Sequence, residues 1–588
     1  MEPLTPSTPS RPDDPAVGGH ERVPRPATLR LGVFLNSFTV PTWIGKLLDD
    51  VARSGIAELS LVVLNTEPRQ SVWERLRDQR HHLLYLAYLR ADRALVRWLL
   101  SLEKDAFDPV DLTSLLRDVP TMKVVPIRSS RFVHRFDEAS LQRLREADLD
   151  VILSFGFRIL KGEVLQAARY GIWSFHHGDN REYRGGPPMF WEMYENNPLA
   201  GVTLQVLTEQ LDGGQVLYRS VSKTNEFSLH LNRNANYWKG SEFVVRRLRD
   251  LYERGWEQVS AIDTFSETSD YAKPIYKMPT NRTMARFIGR LGARWTQRAV
   301  RDLTTEESWF LAWRRRGAGD GPGLTGHGSF RTLMPPAGTF YADPFLLRRN
   351  GTTYVFFEDF SYRVRRAVIS CVALGPDGTP SRPWVVIDTG KHLSYPFAFE
   401  HEGQVYLMPE ARSRRRIELW HATDFPKWFE RHSILLDNVN AVDPTLVFHQ
   451  GRWWLFAGIA VEGASTCDEL HAFVADSPFG PFRPHRMNPL VSDVRSARPA
   501  GVMFERNGVL YRPGQDSSLG YGYRVVIHRV DELSETRYHE TPVATIEPSW
   551  YEGNEGTHTF NFNEDFEVLD GRIRARRGPF ARFGNHGR

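Results

Sequence analysis

Between residues 340 and 520 one short phrase recurs four times: a proline, several apolar residues, a glycine, then an aromatic strand. Pro344 precedes Gly351 and Tyr354, Pro396 precedes Gly403 and Tyr406, and Pro444 precedes Gly451 and Trp454. Pro499 precedes Gly508 and Tyr511 with two extra residues. The repeat length is roughly 50 residues, the class of propeller blades. A unit this short cannot bury its apolar face alone, so neighbouring units must stack. Thr557-His558-Thr559-Phe560-Asn561 begins a degenerate fifth unit that ends at Asp570-Gly571, and Trp309-Phe310-Leu311-Ala312-Trp313 reads as the strand that closes the ring. Residues 331–588 are therefore expected to form an all-β five-bladed propeller.

The first half follows a different pattern. Leu29 to Leu35 is an apolar strand, a helix led by Pro41 runs to Gly55, and Leu59 to Leu64 is a second strand. Strand, helix and strand in that order form a βαβ unit and imply a parallel sheet. No G-x-G-x-x-G follows the first strand, which excludes the dinucleotide fingerprint. Val72 to Lys104 has helical periodicity, with Arg75, Arg77, Arg80, Arg90, Arg93 and Arg97 interleaved. That face is either solvated or meets an anionic partner. Lys123 to Ile127, Val151 to Phe155 and Val216 to Val221 supply further strands. Polar Asn-rich turns follow, then a helix from Gly240 to Arg254. The α/β domain is expected over 29–260.

Residues 261–330 read as a basic linker with a helix. Arg282, Arg286, Arg290, Arg294 and Arg298 stand four apart on it, a stripe suited to phosphates, to a membrane surface, or to packing between domains. Gly317 to Gly328 is Gly-rich. Residues 1–28 are rich in Pro, Ser and charge with no apolar core of a signal peptide, and are expected to be a disordered tail.

The whole chain of 588 residues is too long for one core. Its 41% hydrophobic and 25% charged content is that of a soluble globular protein. A net charge of +4 gives no reason to expect nucleic acid. Two cysteines, Cys371 and Cys467, exclude a disulfide framework and a Cys-rich zinc site, and no metal site is expected. No run of about 18 apolar residues occurs, so a cytoplasmic protein without a transmembrane segment is expected.

Chemistry concentrates between Gly171 and Leu217. A strand-like GIWSFHH ends in two histidines, the loop NREYRGGPP follows, and a second strand runs into Leu211-Asp212-Gly213-Gly214. Sites in open α/β sheets form outside the carboxyl ends of strands, which is where this pattern puts its polar residues. The stretch resembles the catalytic core of the folate-dependent formyltransferases, whose pattern is Asn-x-His, a Tyr-Arg-Gly-Gly-x-Pro loop and a later Leu-Asp-x-Gly. The matching residues are Ser174, His176, Tyr183-Arg184-Gly185-Gly186-Pro187-Pro188 and Leu211-Asp212-Gly213-Gly214, with Ser174 where the family has Asn. The resemblance implies a Rossmann-like fold and N10-formyltetrahydrofolate as co-substrate. It gives His176 the role of stabilising the oxyanion or moving a proton, and Asp212 that of orienting it. With only a hydroxyl at Ser174, the resemblance leaves a slower enzyme, a rearranged donor (Ser174 itself, His177 or Asn180), or a domain that has stopped catalysing. Tyr183, Arg184, Gly185, Gly186 and Pro187 become folate-site residues. Gly156 and Phe157 join them, or form a plain strand-end turn.

The C-terminal half resembles the five-bladed fold of arabinanases and fructan-active glycosidases. It also resembles the N-terminal domain of plant glucosamine inositolphosphorylceramide transferases, through Tyr-Ala-Asp-Pro-Phe, Phe-Phe-Glu-Asp-Phe and Gly-Thr-His-Thr-Phe-Asn. In that fold an Asp-Pro places a carboxylate in the channel, which marks Asp343 and Asp443. Glu358, Glu410 and Asp516 are further channel candidates, with Arg498 and His558 able to bind sugar hydroxyls or an anion. The expected function is formyl transfer to an amine on an amino sugar or glycoconjugate. The alternative is a glycan-binding or glycan-processing propeller beside an inactive formyltransferase-like domain.

Overall fold

The computed structural model describes residues 28–68, 71–100, 104–261, 271, 273–317, 323–324, 326, 329–461 and 463–576. Nearly all of the expected tail and most of the Gly-rich stretch from 317 to 328 lie outside the described residues.

The first domain is built on one sheet of seven strands: β1 (Leu29–Leu35), β2 (Ala57–Asn65), β3 (Thr121–Val124), β4 (Val151–Ser154), β5 (Ile172–His176), β6 (Leu199–Val206) and β7 (Gln215–Lys223). Their order is β7-β6-β5-β4-β1-β2-β3. The pairs from β5 through β3 are parallel, and β5-β6 and β6-β7 are antiparallel. Strand β1 is apolar on both faces because both are covered. Leu31, Val33 and Leu35 enter a core roofed by the helices Thr42–Arg53, Leu229–Gly240 and Phe243–Arg254, while Phe34 enters a second core under Glu138–Glu146. Each such side chain, fully buried, contributes about 1.5–3 kcal/mol.

The Asn-rich segment read as turns is instead the helix Leu229–Gly240, capped by Ser228. Asn232, Asn234 and Asn236 are buried on it, and the last two find internal partners for their amides. The Asn234 Oδ1 accepts from the Ala106 N–H (2.7 Å), and Asn236 Nδ2 donates to the Asn232 carbonyl (2.9 Å). The basic face around residues 80–97 is partly neutralised from within, since Arg93 pairs with Asp105 and Asp108, and Arg97 with Asp108.

In the expected linker, the helix Asn281–Thr304 buries Met284, Phe287 and Leu291. Phe287 packs on Tyr88 and Phe190 of the first domain. Part of the arginine stripe is engaged: Arg290 lies over the Tyr194 ring, Arg298 over Phe227, and Arg294 donates to the Glu226 carbonyl. The helix then runs directly into the strand Thr305–Arg315.

That strand pairs antiparallel along its whole length with Phe566–Arg576, so the first and last strands of the C-terminal region share one sheet. Four more antiparallel sheets follow, led by Thr339–Arg349, Ser394–His401, Ala441–His449 and Arg498–Pro499. Each leading strand touches the next, Thr339–Arg349 also meets Phe566–Arg576, and the Phe560 N–H donates to the Ala500 carbonyl (2.8 Å). Contacts thus pass from sheet to sheet and return to the first.

The repeated glycine has a clear cause. Asn350-Gly351, Glu402-Gly403, Gln450-Gly451 and Asn507-Gly508 all have positive φ at both residues. This is the two-residue hairpin turn whose twist matches the strands, and Gly is the residue that adopts it without a steric cost. The repeated proline has one too: Asp343, Tyr395 and Asp443, each just before it, have φ of 52°, 44° and 52° at a register shift in the ladder. The left-handed kink turns these three side chains out of the pleat and into one buried cluster.

Gly501 has φ +135° and approaches so closely that an added Cβ would lie 2.1 Å from the Phe560 carbonyl oxygen. Gly501→Ala is expected to cost roughly 1–3 kcal/mol through overpacking alone, before backbone strain is added. A lowered denaturant midpoint at unchanged slope checks this.

The two regions are joined by buried ion pairs. Lys239 Nζ meets Asp468 Oδ2 at 2.8 Å with both side chains 2% exposed. Arg246 meets Glu469 through two bonds of 2.6 and 2.9 Å. Ser222 donates to Asp468 at 2.5 Å, and the Val494 N–H donates to the Val221 carbonyl on β7 (3.1 Å).

Candidate active site

Strand β5 alternates its side chains, so Ser174 and His176 share a face at its carboxyl end. The following loop folds back over them. His176 is 7% exposed, its Nδ1 lies 3.4 Å from Asp212 Oδ1, and its Nε2 lies 2.5 Å from the Tyr183 carbonyl oxygen. Asp212 sits in a turn with φ 50° and reaches in two directions, since its Oδ2 accepts the Gly185 N–H at 2.8 Å. One carboxylate therefore ties the histidine to the Gly-Gly loop. Burial works against a charged His176, but the Asp212 hydrogen bond and charge, aided by the Tyr183 carbonyl, outweigh it and raise its pKa. Burial pushes the Asp212 carboxyl up, and His176 with the Gly185 amide brings it below its ordinary value.

The loop itself is pinned. Arg184 Nε donates to the Asn180 carbonyl (2.8 Å), and its guanidinium lies 4.5 Å from the Tyr271 ring centre. Gly185 has φ +92°, and an added Cβ would lie 2.2 Å from the Tyr276 oxygen. Tyr276 belongs to a segment that sequence reading placed in the linker. Its N–H donates to the Arg184 carbonyl (2.9 Å), its carbonyl accepts the Gly186 N–H (3.1 Å), and its hydroxyl donates to Glu195 (2.8 Å). The resulting pocket is narrow, and His176, His177, Tyr183 to Met189, Trp191, Glu192 and Tyr276 line it.

The structure brings His176, Asp212, Tyr183, Arg184, Gly185, Gly186 and Pro187 together, with Ser174 on the adjoining strand face. Gly156 and Phe157 do not line this pocket. Gly156 presses on the Leu35-Asn36 backbone, where a Cβ would lie 2.3 Å from the Leu35 carbonyl carbon, and Phe157 packs on Phe34 and Phe136. Asn180 is turned away from the pocket: Nδ2 donates to the Asp212 carbonyl (3.4 Å) and Oδ1 accepts from Arg219 (2.9 Å). His177 is stacked 3.5 Å from Tyr237, and burial, His176 and Arg233 push its pKa well down, so it stays neutral.

Met189, Trp191, Tyr276 and one acid among the lining residues escaped the sequence reading. Glu192, on the short helix Phe190–Glu195, is 2% exposed, and its Oε1 has no hydrogen-bond partner. Burial pushes its carboxyl up to about 7, with the charges of Glu195 and Asp179 adding to the rise and that of His176 opposing it. The signal available was an acid inside the otherwise aromatic run MFWEMY.

A second buried polar cluster lies among the leading strands of the C-terminal sheets. Arg498 forks onto Asp443 at 2.5 and 3.0 Å and reaches Glu410 at 3.6 Å. Gln515 Nε2 also donates to Asp443 (2.9 Å). His558 bridges Asp570 (2.6 Å) and Asp343 (3.5 Å). All four oxygens of Asp343 and Asp570 accept from internal donors: Tyr395 N, Thr559 Oγ1, Asp343 N, and the His558 and Thr559 N–H groups. Burial raises Asp343 to about 6 and Glu410 to about 8, and it holds Glu358 well above the carboxylate range. Asp516 stands aside, paired with Arg524 at 2.9 Å. Tyr395 was missed because only acids before the repeated proline were sought, although it holds the same position as Asp343 and Asp443.

Residues 329–564 match the family described as glucosamine inositolphosphorylceramide transferase 1, N-terminal. The glucosamine inositolphosphorylceramide transferase 1 of Oryza sativa subsp. japonica is 36% identical over 208 residues, 35% of this chain and 28% of that protein. The methionyl-tRNA formyltransferase of Bacillus thuringiensis subsp. konkukian is 31% identical over 109 residues, 18% of this chain and 32% of that enzyme. This chain thus spans about a third or less of each relative's length. A solved phosphoribosylglycinamide formyltransferase from Anaplasma phagocytophilum aligns at 18% identity over 38% of this chain and 89% of that one, with a TM-score of 0.26.

Proposed function

We propose that the first domain transfers a formyl group from N10-formyltetrahydrofolate to an amine, and that the C-terminal region is a five-bladed propeller that presents the amine on a sugar or glycoconjugate. The His176–Asp212 pair, locked to the Gly185 amide within a loop related to formyltransferases, carries this reading. In the reaction the amine nitrogen bonds to the formyl carbon, whose oxygen becomes an oxyanion. The amine loses a proton, and the folate nitrogen gains one as its bond to that carbon breaks. Asp212 supports a protonated His176, placing positive charge beside the developing oxyanion. Five sheets whose contacts return to the first support the propeller. The name of the rice relative and the buried carboxylate–arginine cluster both favour a sugar-bearing acceptor. The two free cysteines fit a reducing, cytoplasmic setting.

Calorimetric titration with a stable 10-formyltetrahydrofolate analogue tests the reading. Micromolar binding supports it. Absence of binding at millimolar analogue sinks it and moves attention to the second reading, a glycan-binding or glycan-processing propeller. The raised carboxyls of Asp343, Glu358 and Glu410 favour that alternative, because glycoside chemistry needs acids with divided protonation.

A further inference from the structure

The pocket presents an unmet chemical need and an unused group. Where the formyltransferase pattern has an amide, this chain has Ser174, whose side chain is a shorter hydroxyl. The His176 nitrogens face Asp212 and the Tyr183 carbonyl, Asn180 is committed to Asp212 and Arg219, and His177 lies flat against Tyr237. Glu192 lines the same pocket, is almost wholly buried, and keeps an oxygen without a partner. A buried carboxyl without a cationic partner keeps its proton, and a protonated carboxyl is an O–H donor, as an amide is an N–H donor.

We propose that Glu192, in its protonated form, donates to the formyl oxyanion in place of the amide that Ser174 lacks. The inference rests on formyl transfer as the activity of this domain. The carboxyl O–H shares its proton with the oxyanion while the tetrahedral species lasts and recovers it as the formyl C=O reforms, so Glu192 neither gains nor loses a proton over the cycle. Its electrostatic surroundings favour the neutral acid. Burial is the main cause, Glu195 on its own helix and Asp179 on the loop after β5 repel a carboxylate, and His176 alone among the named charges attracts one. The Tyr183 and Tyr276 phenols, which face it from the Gly-Gly loop and the 271–280 segment, stay neutral because burial raises both.

The test compares Glu192→Gln and Glu192→Ala with the unaltered protein, using 10-formyltetrahydrofolate and glucosamine. Glutamine supplies an N–H donor at the same reach. Glu192→Gln should keep its rate within a few-fold and lose that part of the fall in rate through about pH 7 that belongs to Glu192, keeping the part that belongs to deprotonation of His176. Glu192→Ala should lose about 10²–10³-fold. A folded Glu192→Gln that is as inactive as Glu192→Ala overturns the proposal. Thermal unfolding decides the protonation state without turnover. A carboxyl whose folded pKa is raised stabilises the fold at low pH and loses that contribution as pH rises. The Tm advantage of Glu192→Gln should therefore widen between about pH 4.5 and about pH 7 and level off above it. A constant difference overturns the proposal even if no amine accepts the formyl group; absent transfer with a widening difference overturns only the reading of the domain's activity.

Discussion

Asp212→Ala should lower formyl transfer by on the order of 10²–10⁴-fold, the span that a positioned proton-handling group supplies. The carboxylate performs two tasks that one substitution removes together. It holds His176 Nδ1 and so sustains the charge that burial would otherwise suppress, and it accepts the Gly185 N–H that fixes the Gly-Gly loop. Steady-state rates with 10-formyltetrahydrofolate should show the loss in kcat, because a charge present only on the protonated ring acts in the transition state. The pair also leaves a mark on stability. His176, raised above 6.5, contributes stability below that value that is lost as pH rises through its folded pKa. Asp212, lowered below 3.8, contributes stability above that value that is lost as pH falls through its folded pKa. The pair thus supports the fold from mildly acidic to neutral pH, and in Asp212→Ala both dependences should flatten in unfolding scans.

Asp468→Ala should cost about 3–5 kcal/mol of stability, because it leaves the Lys239 ammonium buried with no carboxylate. Lys239 keeps only the Ser222 hydroxyl, which cannot neutralise it. The asymmetry is the useful part. Replacing both partners, Lys239→Met with Asp468→Leu, removes the desolvation cost along with the attraction and should recover most of the loss. A double-mutant cycle in denaturant measures the difference, and strict additivity of the two single changes would show that the pair is not coupled.

Much of this was legible in the residues, and the failures have physical causes. The Pro-to-Gly repeat was readable because backbone geometry enforces it: a hairpin turn with two positive φ values selects glycine, and a kinked residue before proline marks the inner strand. His176 and Asp212 were readable because a loop that must pass so close to other backbone tolerates few sequences. Glu192 was hidden because a helix of aromatic residues suggests core, and burial of an acid is a tertiary fact. Asn234 and Asn236 of Leu229–Gly240 read as turns because their preference for local backbone bonds yields only when distant partners such as Ala106 and Ser222 satisfy them. Tyr271 and Tyr276 read as linker because nothing local reveals that their backbone and hydroxyl groups complete a loop some 90 positions earlier.

The sheet shared by Thr305–Arg315 and Phe566–Arg576 sets the order of assembly. During synthesis the first domain can fold as soon as it emerges, but Trp309 and its neighbours must wait for a partner made more than 250 residues later. Until then one edge of the nascent β region stays unpaired and prone to association, the situation in which chaperones hold growing chains. Closing so long a loop adds entropy that only the completed ladder offsets. The sheet that contains Thr305–Arg315 is therefore complete only when the last strand docks.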